Sequence, residues 1–431
     1  MVRVSVGCDR DEAERVRPLV VRAYEDARAR RWPFLSDVLQ SALRDANEEN
    51  RAIAAAAVHA LVKYDRLLAL ACGGDGASGE ARFDALFTIA GGDSAVVDER
   101  LARIGRPIER LAAAYSFPDW IAELVAAELG EAAVERALAR MNELPPRVAR
   151  ANTLATSRDA CLRALADEGL AAHPTTHAAA GIVLEGRRSP FRTQAFARGE
   201  LEMQDEASQL VAELVAPPPR SFAVDACAGA GGKALALAAM LGGKGKLVAL
   251  DSSEAKLEEL RRRARRAGAS NVQALAIDLL QPGDALARFE GAASRVLVDA
   301  PCTGLGAIRR NPEARWRLRE DDLSRLVASQ AALFDAAARL VTPSGRVVYA
   351  TCSFLPSEGE VAVDFFLSQH PDFALVTARD VLGRARTERV ATPDGRYLRT
   401  WRFDGAPDGG DEGMDGFFAA VVRRRKPPSE A

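Results

Sequence analysis

From Ser221 to Cys352 the chain repeats one pattern: a short apolar segment, an acid or a thiol near its end, then a stretch with helical spacing. The segments are SFAVDA, KLVALD, VQALAID, RVLVDA and RVVYATC. Strands this apolar need cover on both faces. Alternating helices supply it, so the pattern predicts a parallel sheet with crossover helices. The stretch from Leu323 to Leu340 suits such a helix, because Leu323, Leu326, Val327, Phe334 and Ala337 share one face. A last strand, FFAAVV, precedes a basic run from Arg423 to Lys426 that reads as a solvated end.

The chain ahead of this pattern has another texture. Leu35, Val38, Leu39, Ala42 and Leu43 recur at helical spacing, as do Ile53, Ala57, Ala60, Leu61, Tyr64, Leu67 and Leu68, and the period continues to Met141. Gly73 to Gly79 breaks it, and Pro107 and Pro118 punctuate the later helices. From Arg147 shorter elements follow: RVARANTL and GIVLEG as strands, with helices over 158–168 and 204–215. At roughly 150 residues per domain, 431 residues imply about three domains. The expected divisions are a helical domain over 1–143, a small α/β bridging module over 144–219, a sheet domain over 220–424 and a tail over 425–431.

Charge and cysteine usage exclude several classes. Fifty-eight basic against 60 acidic residues leave a net charge of -2, so any nucleic-acid surface has to be local. Residues 1–140 are acidic, with 19 lysines and arginines against 23 aspartates and glutamates. The six cysteines contain no C-x-x-C pair, which argues against zinc or a disulfide framework and fits a reducing cytoplasm. The start lacks an apolar signal core, and no apolar run approaches the ~18 residues that span a bilayer, so a cytoplasmic chain without a membrane segment is expected. His59, His173, His177 and His370 form no ligand set by spacing.

In open parallel sheets ligands bind beyond the carboxyl ends of the strands. Asp225, Asp251, Asp278, Asp299 and Cys352 occupy that position on five successive strands. One such acid could simply cap a helix; five together point to a shared cleft. The first loop, DACAGAGGKA, places Gly229, Gly231 and Gly232 between strand and helix, where the backbone can approach a ligand closely. Gly229, Gly231 and Ala234 also satisfy the G-x-G-x-x-A of dinucleotide folds, with Asp251 twenty residues after Gly231 to bind a ribose. A P-loop is excluded because Ala234 follows Lys233. The loop implies a nucleoside cofactor without identifying it.

The fourth strand runs into VDAPCTGLG, and fifty residues later VVYATCS puts Cys352 at the next strand end. Cys302 and Cys352 should therefore face one cleft from adjacent strands. A dehydrogenase has no use for that pair, and inert buried thiols would not be expected at two neighbouring cleft positions beside Asp299.

With these segments the sequence resembles the Nop/Sun RNA cytosine-5 methyltransferases, in the bacterial Sun/Fmu branch that methylates small-subunit ribosomal RNA. The matching stretches are PPRVARANTLATSR, MQDEASQL, DACAGAGGK, DAPCTGLGAIRRNPEARW, YATCS, HPDF and DGFFAA, spanning roughly residues 118 to 422. The resemblance implies an α/β fold: a Rossmann-like class I S-adenosylmethionine-dependent methyltransferase domain, an all-helical NusB-like N-terminal domain and a small α+β bridging module. The family loop usually reads CAAPGGKT, so Ala230 stands for a proline and Ala234 for a threonine, which leaves loop rigidity and one hydroxyl contact open.

By resemblance Cys352 is the nucleophile, whereas DNA cytosine methyltransferases use a cysteine in the Pro-Cys position, here Cys302, and chemistry alone does not choose between the two. Cys302 would then assist release and Asp299 contact the base and the cofactor. Cys227, Ala228, Gly229, Ala230, Gly231, Gly232 and Lys233 would wrap the methionine part of S-adenosylmethionine, Asp251 the ribose and Asp278 the adenine. The implied partner is RNA, specifically small-subunit ribosomal RNA, with no membrane, no metal and a monomeric chain. Arg309, Arg310, Arg315, Arg317 and Arg319 form a local cluster expected to attract phosphate, with Trp316 stacking on a base; an exposed, merely charged helix start is the plainer reading. Two other functions remain open at this point: an RNA-binding or ribosome-assembly protein whose methyltransferase domain is weakened, and a nicotinamide-dependent dehydrogenase.

Overall fold

Helical spacing in the first 140 residues becomes ten helices between Arg10 and Arg140 in the computed structural model, which describes residues 3–403 and 413–426. Local chemistry sets their ends. Asp9 and Glu12 form a capping box, Asn47 and Ser78 accept from the backbone three residues on, and Gly73 ends a helix at φ +93°. Apolar stripes close on one core that includes Val20, Tyr24, Ile53, Leu61, Leu67 and Phe83.

Two compact units make up the chain: residues 1–145 with 307–322, and residues 146–306 with 323–431. The arginine-rich segment expected to meet RNA thus belongs to the helical unit. Arg315 is fully buried there; its Nη1 donates to Asn142 Oδ1 (2.9 Å), Lys63 O (3.2 Å) and Ser116 O (3.2 Å), and its guanidinium lies 3.9 Å from the Phe117 ring centroid. Trp316 donates from Nε1 to Val62 O (2.8 Å), and Glu313 accepts from the Leu35 amide (3.1 Å). Arg309 is buried as well. The expectation of a phosphate-binding cluster with Trp316 as a stacking platform is therefore corrected: Arg309, Arg315 and Trp316 are interior anchors, and Arg317 and Arg319 are exposed.

The second unit holds two sheets. The smaller has strands β1 (Arg147–Ala151), β2 (Ala172–Pro174), β3 (Gly181–Leu184) and β4 (Leu201–Met203), all antiparallel, in the order β2-β3-β1-β4. The larger contains β5 (Phe222–Asp225), β6 (Lys246–Asp251), β7 (Val272–Ala276), β8 (Ala293–Asp299) and β9 (Val341–Thr351), parallel in the order β7-β6-β5-β8-β9. Beyond β9 the sheet turns antiparallel with β12 (Phe418–Arg424) and β10 (Phe373–Val376), while the two-residue β11 (Leu398–Arg399) pairs with β12. The basic run is therefore not a solvated end throughout: the strand continues through Arg424, which bonds Asp372 (3.2 Å). Residues 427–431 of the expected tail lie outside the described residues.

Period-two alternation sends Ala223, Leu247, Ala249, Leu297 and Val348 to one face and Val224, Val248, Val296, Val298 and Val347 to the other, and both faces are covered. The helices Gly232–Met240 and Glu254–Arg266 pack on the first face, and Asp322–Ala338 and Glu360–Gln369 on the second. Strand order reverses between β5 and β8, which places the loops after those two strands at the switch point where such sheets bind ligands. Among the described residues no helix is long and apolar enough to cross a membrane.

Candidate active site

The loop after β5 turns into its helix through Gly229 (φ +53°) and Gly231 (φ +89°). These glycines do different work. A Cβ on Gly231 would lie 2.7 Å from Leu260 Cγ, so close packing on the helix Glu254–Arg266 requires glycine there. A Cβ on Gly229 or Gly232 meets nothing within 4 Å, so the mouth of the loop is clear. Ala230, where resemblance led one to expect proline, is held by its carbonyl, which accepts from Arg263 Nη1 (2.8 Å); Ala234 is buried in the core. A cross-link from a neighbouring helix thus restrains the loop at the position where a ring would otherwise do so.

Asp251, at the end of β6, accepts from the Gly229 amide on Oδ2 (2.9 Å) and from the Ser253 amide on Oδ1 (2.9 Å). Each oxygen keeps a lone pair for a further donor. Asp278 stands two residues past β7, is exposed, and accepts from Leu280 within its own turn (2.9 Å). Cys227 has its pKa pushed up by burial and then by Asp225, so its thiol stays neutral and the residue contributes backbone rather than charge. An open glycine mouth with acids on the neighbouring strand ends fits a nucleoside cofactor carrying hydroxyl and amino donors.

Asp225 itself lies beneath this mouth. It is 1% exposed, both carboxylate oxygens have no hydrogen-bond partner, and its pKa is raised to about 7 by burial and then by Asp299. Lys233 reaches from the loop's helix to Asp299 at the end of β8, with Nζ to Oδ2 at 2.7 Å and the ammonium 4.8 Å from the Phe417 ring centroid. Burial opposes its charge, but Asp299, then Cys352 and Asp225, outweigh that effect and raise its pKa above the usual lysine value. Lys233 therefore remains an ammonium at the centre of the cleft.

One step further along the same strand ends, Cys302 Sγ and Cys352 Sγ are 3.3 Å apart, both partly exposed. Parallel pairing of β8 with β9, Asp299 opposite Ala350, brings them together. The hydrogen bond to Cys352, followed by burial, holds the Cys302 pKa well above the ordinary thiol value. Of the expected site residues the fold thus brings together Lys233 with Asp299, Cys302 with Cys352, and Gly229 with Asp251.

Sequence reasoning missed the group that holds the Cys302 loop in place. Glu358 is fully buried and accepts from the Thr303 amide (2.8 Å), Thr303 Oγ1 (2.5 Å) and Gln330 Nε2 (2.9 Å). Gln330, also fully buried, donates as well to Pro301 O (2.9 Å), while the Tyr349 hydroxyl donates to Gln330 Oε1 (3.1 Å). The only signal was a pair of glutamates in LPSEGE just after the cysteine strand. Gly306 completes the arrangement: its amide donates to Cys352 O (3.1 Å), and a Cβ there would be 1.9 Å from Gly416 O.

Comparison with known proteins agrees with this geometry. The family model for 16S rRNA methyltransferase RsmB/F matches residues 212–423, and that for the RsmF/B-like ferredoxin-like domain matches residues 117–189. A Synechocystis relative is 36% identical over 265 residues, 60% of this chain and 58% of its own length. The chain thus spans less than two thirds of that relative. Ribosomal RNA small subunit methyltransferase B of Pseudomonas putida is 32% identical over 332 residues, 76% of this chain and 70% of that protein. The crystal structure of PH0851 superposes with a TM-score of 0.77 at 24% identity, covering 95% of this chain and 98% of that one, which shows a shared fold. With a relative above 30% identity aligned over more than two thirds of its length, and a family model lying across every strand end of the cleft, the chain belongs to the RsmB/F family of 16S rRNA methyltransferases.

Proposed function

We propose that the protein methylates carbon 5 of a cytosine in small-subunit ribosomal RNA through a covalent cysteine adduct. The observation that carries this reading is the pair of thiols 3.3 Å apart beside the Lys233–Asp299 ion pair. Carbon 5 of cytosine is a weak nucleophile, and a thiolate adding at carbon 6 makes it a strong one.

In this reading Cys352 adds to carbon 6 as the thiolate, and Cys302, whose pKa is raised by the hydrogen bond between the two sulfurs and then by burial, keeps its proton. Ring nitrogen 3 gains a proton as the bond forms, and the Lys233–Asp299 pair carries it. S-adenosylmethionine, when bound, supplies an electrophilic methyl group. The Cys227–Lys233 loop would hold its methionine part, Asp251 the ribose hydroxyls and Asp278 the adenine amino group. Once Cys352 is alkylated, the hydrogen bond that kept Cys302 protonated is gone. Cys302 then gives its proton to water, the one proton released per turnover, and as a thiolate takes the carbon 5 proton; the 5,6 double bond re-forms, the carbon–sulfur bond to Cys352 breaks and nitrogen 3 returns its proton. The target base has to be unstacked to enter the cleft, which favours a loop or single strand of RNA.

The test is methyl incorporation from labelled S-adenosylmethionine into small-subunit RNA, followed by mapping of 5-methylcytosine. A modified base at ring nitrogen or ribose would exclude the thiol route.

A further inference from the structure

A second surface of the sheet-containing unit has the composition of a nucleic-acid contact, and it lies outside the cleft. The loop 186–199, GRRSPFRTQAFARG, carries four arginines and no acid; the helix Glu254–Arg266 carries six basic residues against three acidic ones. The fold presses the two together. Gly199 sits at φ +71° with a Cβ position 2.0 Å from Arg266 O, and the buried Asn152 side-chain amide donates both to Gly199 O and to Ala267 O at 2.8 Å. Between them runs a groove of about 580 Å³ lined by Phe191, Phe196, Met203, Ala230, Arg262 and Arg266.

Phe191 is 60% exposed, unusual for so large an apolar ring, and is held edge-on to Phe196 with centroids 5.0 Å apart. Arg266 stacks over the opposite partner, its guanidinium 3.8 Å from the Phe196 centroid. Glu202, buried at the groove floor, is bonded by both Arg263 and Arg266, so the floor keeps an excess positive charge. At the rim Arg262 is exposed and paired with Glu259, which also lines the groove, and Arg187, Arg188, Arg192 and Arg198 are exposed on the loop that supplies Phe191 and Phe196. A rigid aromatic face set among guanidiniums complements a base on a phosphate backbone: stacking serves the base and the rim serves the phosphates.

We infer that this groove binds a single-stranded segment of the RNA substrate away from the target base, with Phe191 as the stacking platform. The inference rests on the RNA reading above and adds where the strand is held. Because Ala230 lines the groove and is bonded to Arg263, the groove adjoins the back of the glycine loop.

The test uses the full chain and a fluorescent oligouridine of about 12 nucleotides, within the usual range of single-strand site sizes and free of any target cytosine. Phe191→Ala should weaken binding about fivefold or more, and Phe191→Trp should restore it. Arg262→Ala should make the dependence of log affinity on log salt shallower by about 0.7, the loss of one phosphate contact. With small-subunit RNA, both alanine variants should raise KM for RNA while S-adenosylmethionine affinity stays as in the wild type. Unchanged oligouridine affinity in both variants overturns the inference, as does a loss confined to the cofactor. It is also overturned if Phe191→Ala alters only self-association by light scattering, which would make the groove an interface between copies. Absence of RNA methylation by the wild type, with oligouridine binding still sensitive to Phe191, would instead remove the catalytic reading and leave the groove.

Discussion

VDAPCTGLG and AIRRNPEARW are adjacent in sequence and both rich in chemically active residues, yet they end in different surroundings. The first half joins a strand end of the sheet, where Asp299 meets Lys233 and Cys302 meets Cys352. The second half belongs to the helical unit, where Arg315 Nη1 and Trp316 Nε1 donate to backbone carbonyls and to Asn142. Reactive side chains at strand ends follow a topological rule, since the sheet leaves those ends open. Arginines at a helix start follow none; whether they bind phosphate or backbone depends on what packs over them.

The largest expected effect separates the two halves by function. Cys352→Ala should lower methyl incorporation by more than about 10³-fold, in line with losing a covalent nucleophile. Cys302→Ala should instead accumulate a protein–RNA adduct that survives denaturing electrophoresis. Adduct formation by the Cys352 variant and none by the Cys302 variant would exchange their roles.

Glu358→Gln tests whether the strand-end half depends on its buried support. The amide cannot accept from Thr303 and Gln330 as the carboxylate does, and a loop misplaced by a fraction of an ångström should reduce kcat about tenfold. S-adenosylmethionine affinity, read by calorimetry, should be unaffected; if it falls in parallel with kcat, Glu358 supports the whole cleft and not the cysteine loop alone.

Arg315→Ala probes the other half as a matter of stability. Removing a buried guanidinium bonded to three oxygens should cost about 3 kcal/mol in denaturant unfolding. Arg319, 75% exposed and ion-paired with Asp321 at 3.3 Å, should tolerate alanine without measurable change. The contrast collapses if Arg315→Ala keeps its stability and loses RNA affinity.

A further effect is read in the pH profile of the ligand-free protein. Asp225 titrates near 7 when folded and near 3.8 when unfolded, so the folded state holds the extra proton between those values. Its contribution to stability is complete below about pH 4 and is lost as pH rises through 7. Asp225→Asn should remove that loss, so its Tm relative to the wild type should increase from pH 4 to 7; a constant difference would mean that Asp225 is ionised throughout.

Much of the architecture was legible because it is local. Apolar segments of four to seven residues separated by helical periods specify strands, crossovers and a parallel sheet, and the acid or thiol after each segment marks the cleft. The edge strands β2, β4, β10 and β11 were not legible, being two to four residues long and dependent on their partners for identity. Glycine spacing indicated a nucleotide loop, but could not distinguish Gly231, which Leu260 packing requires, from Gly229 and Gly232, which face open space.

The sequence by itself determined that two thiols and several acids would sit at neighbouring strand ends, because a strand's direction and a loop's length carry that information within a few dozen residues. Only the tertiary structure decided that Lys233 neutralises Asp299, that Glu358 and Gln330 hold the cysteine loop, and that Arg315 is an anchor. Those outcomes depend on side chains tens to hundreds of residues apart sharing a dry interior, where an unpaired donor is costly, and no periodicity along the chain encodes which acceptor it will find.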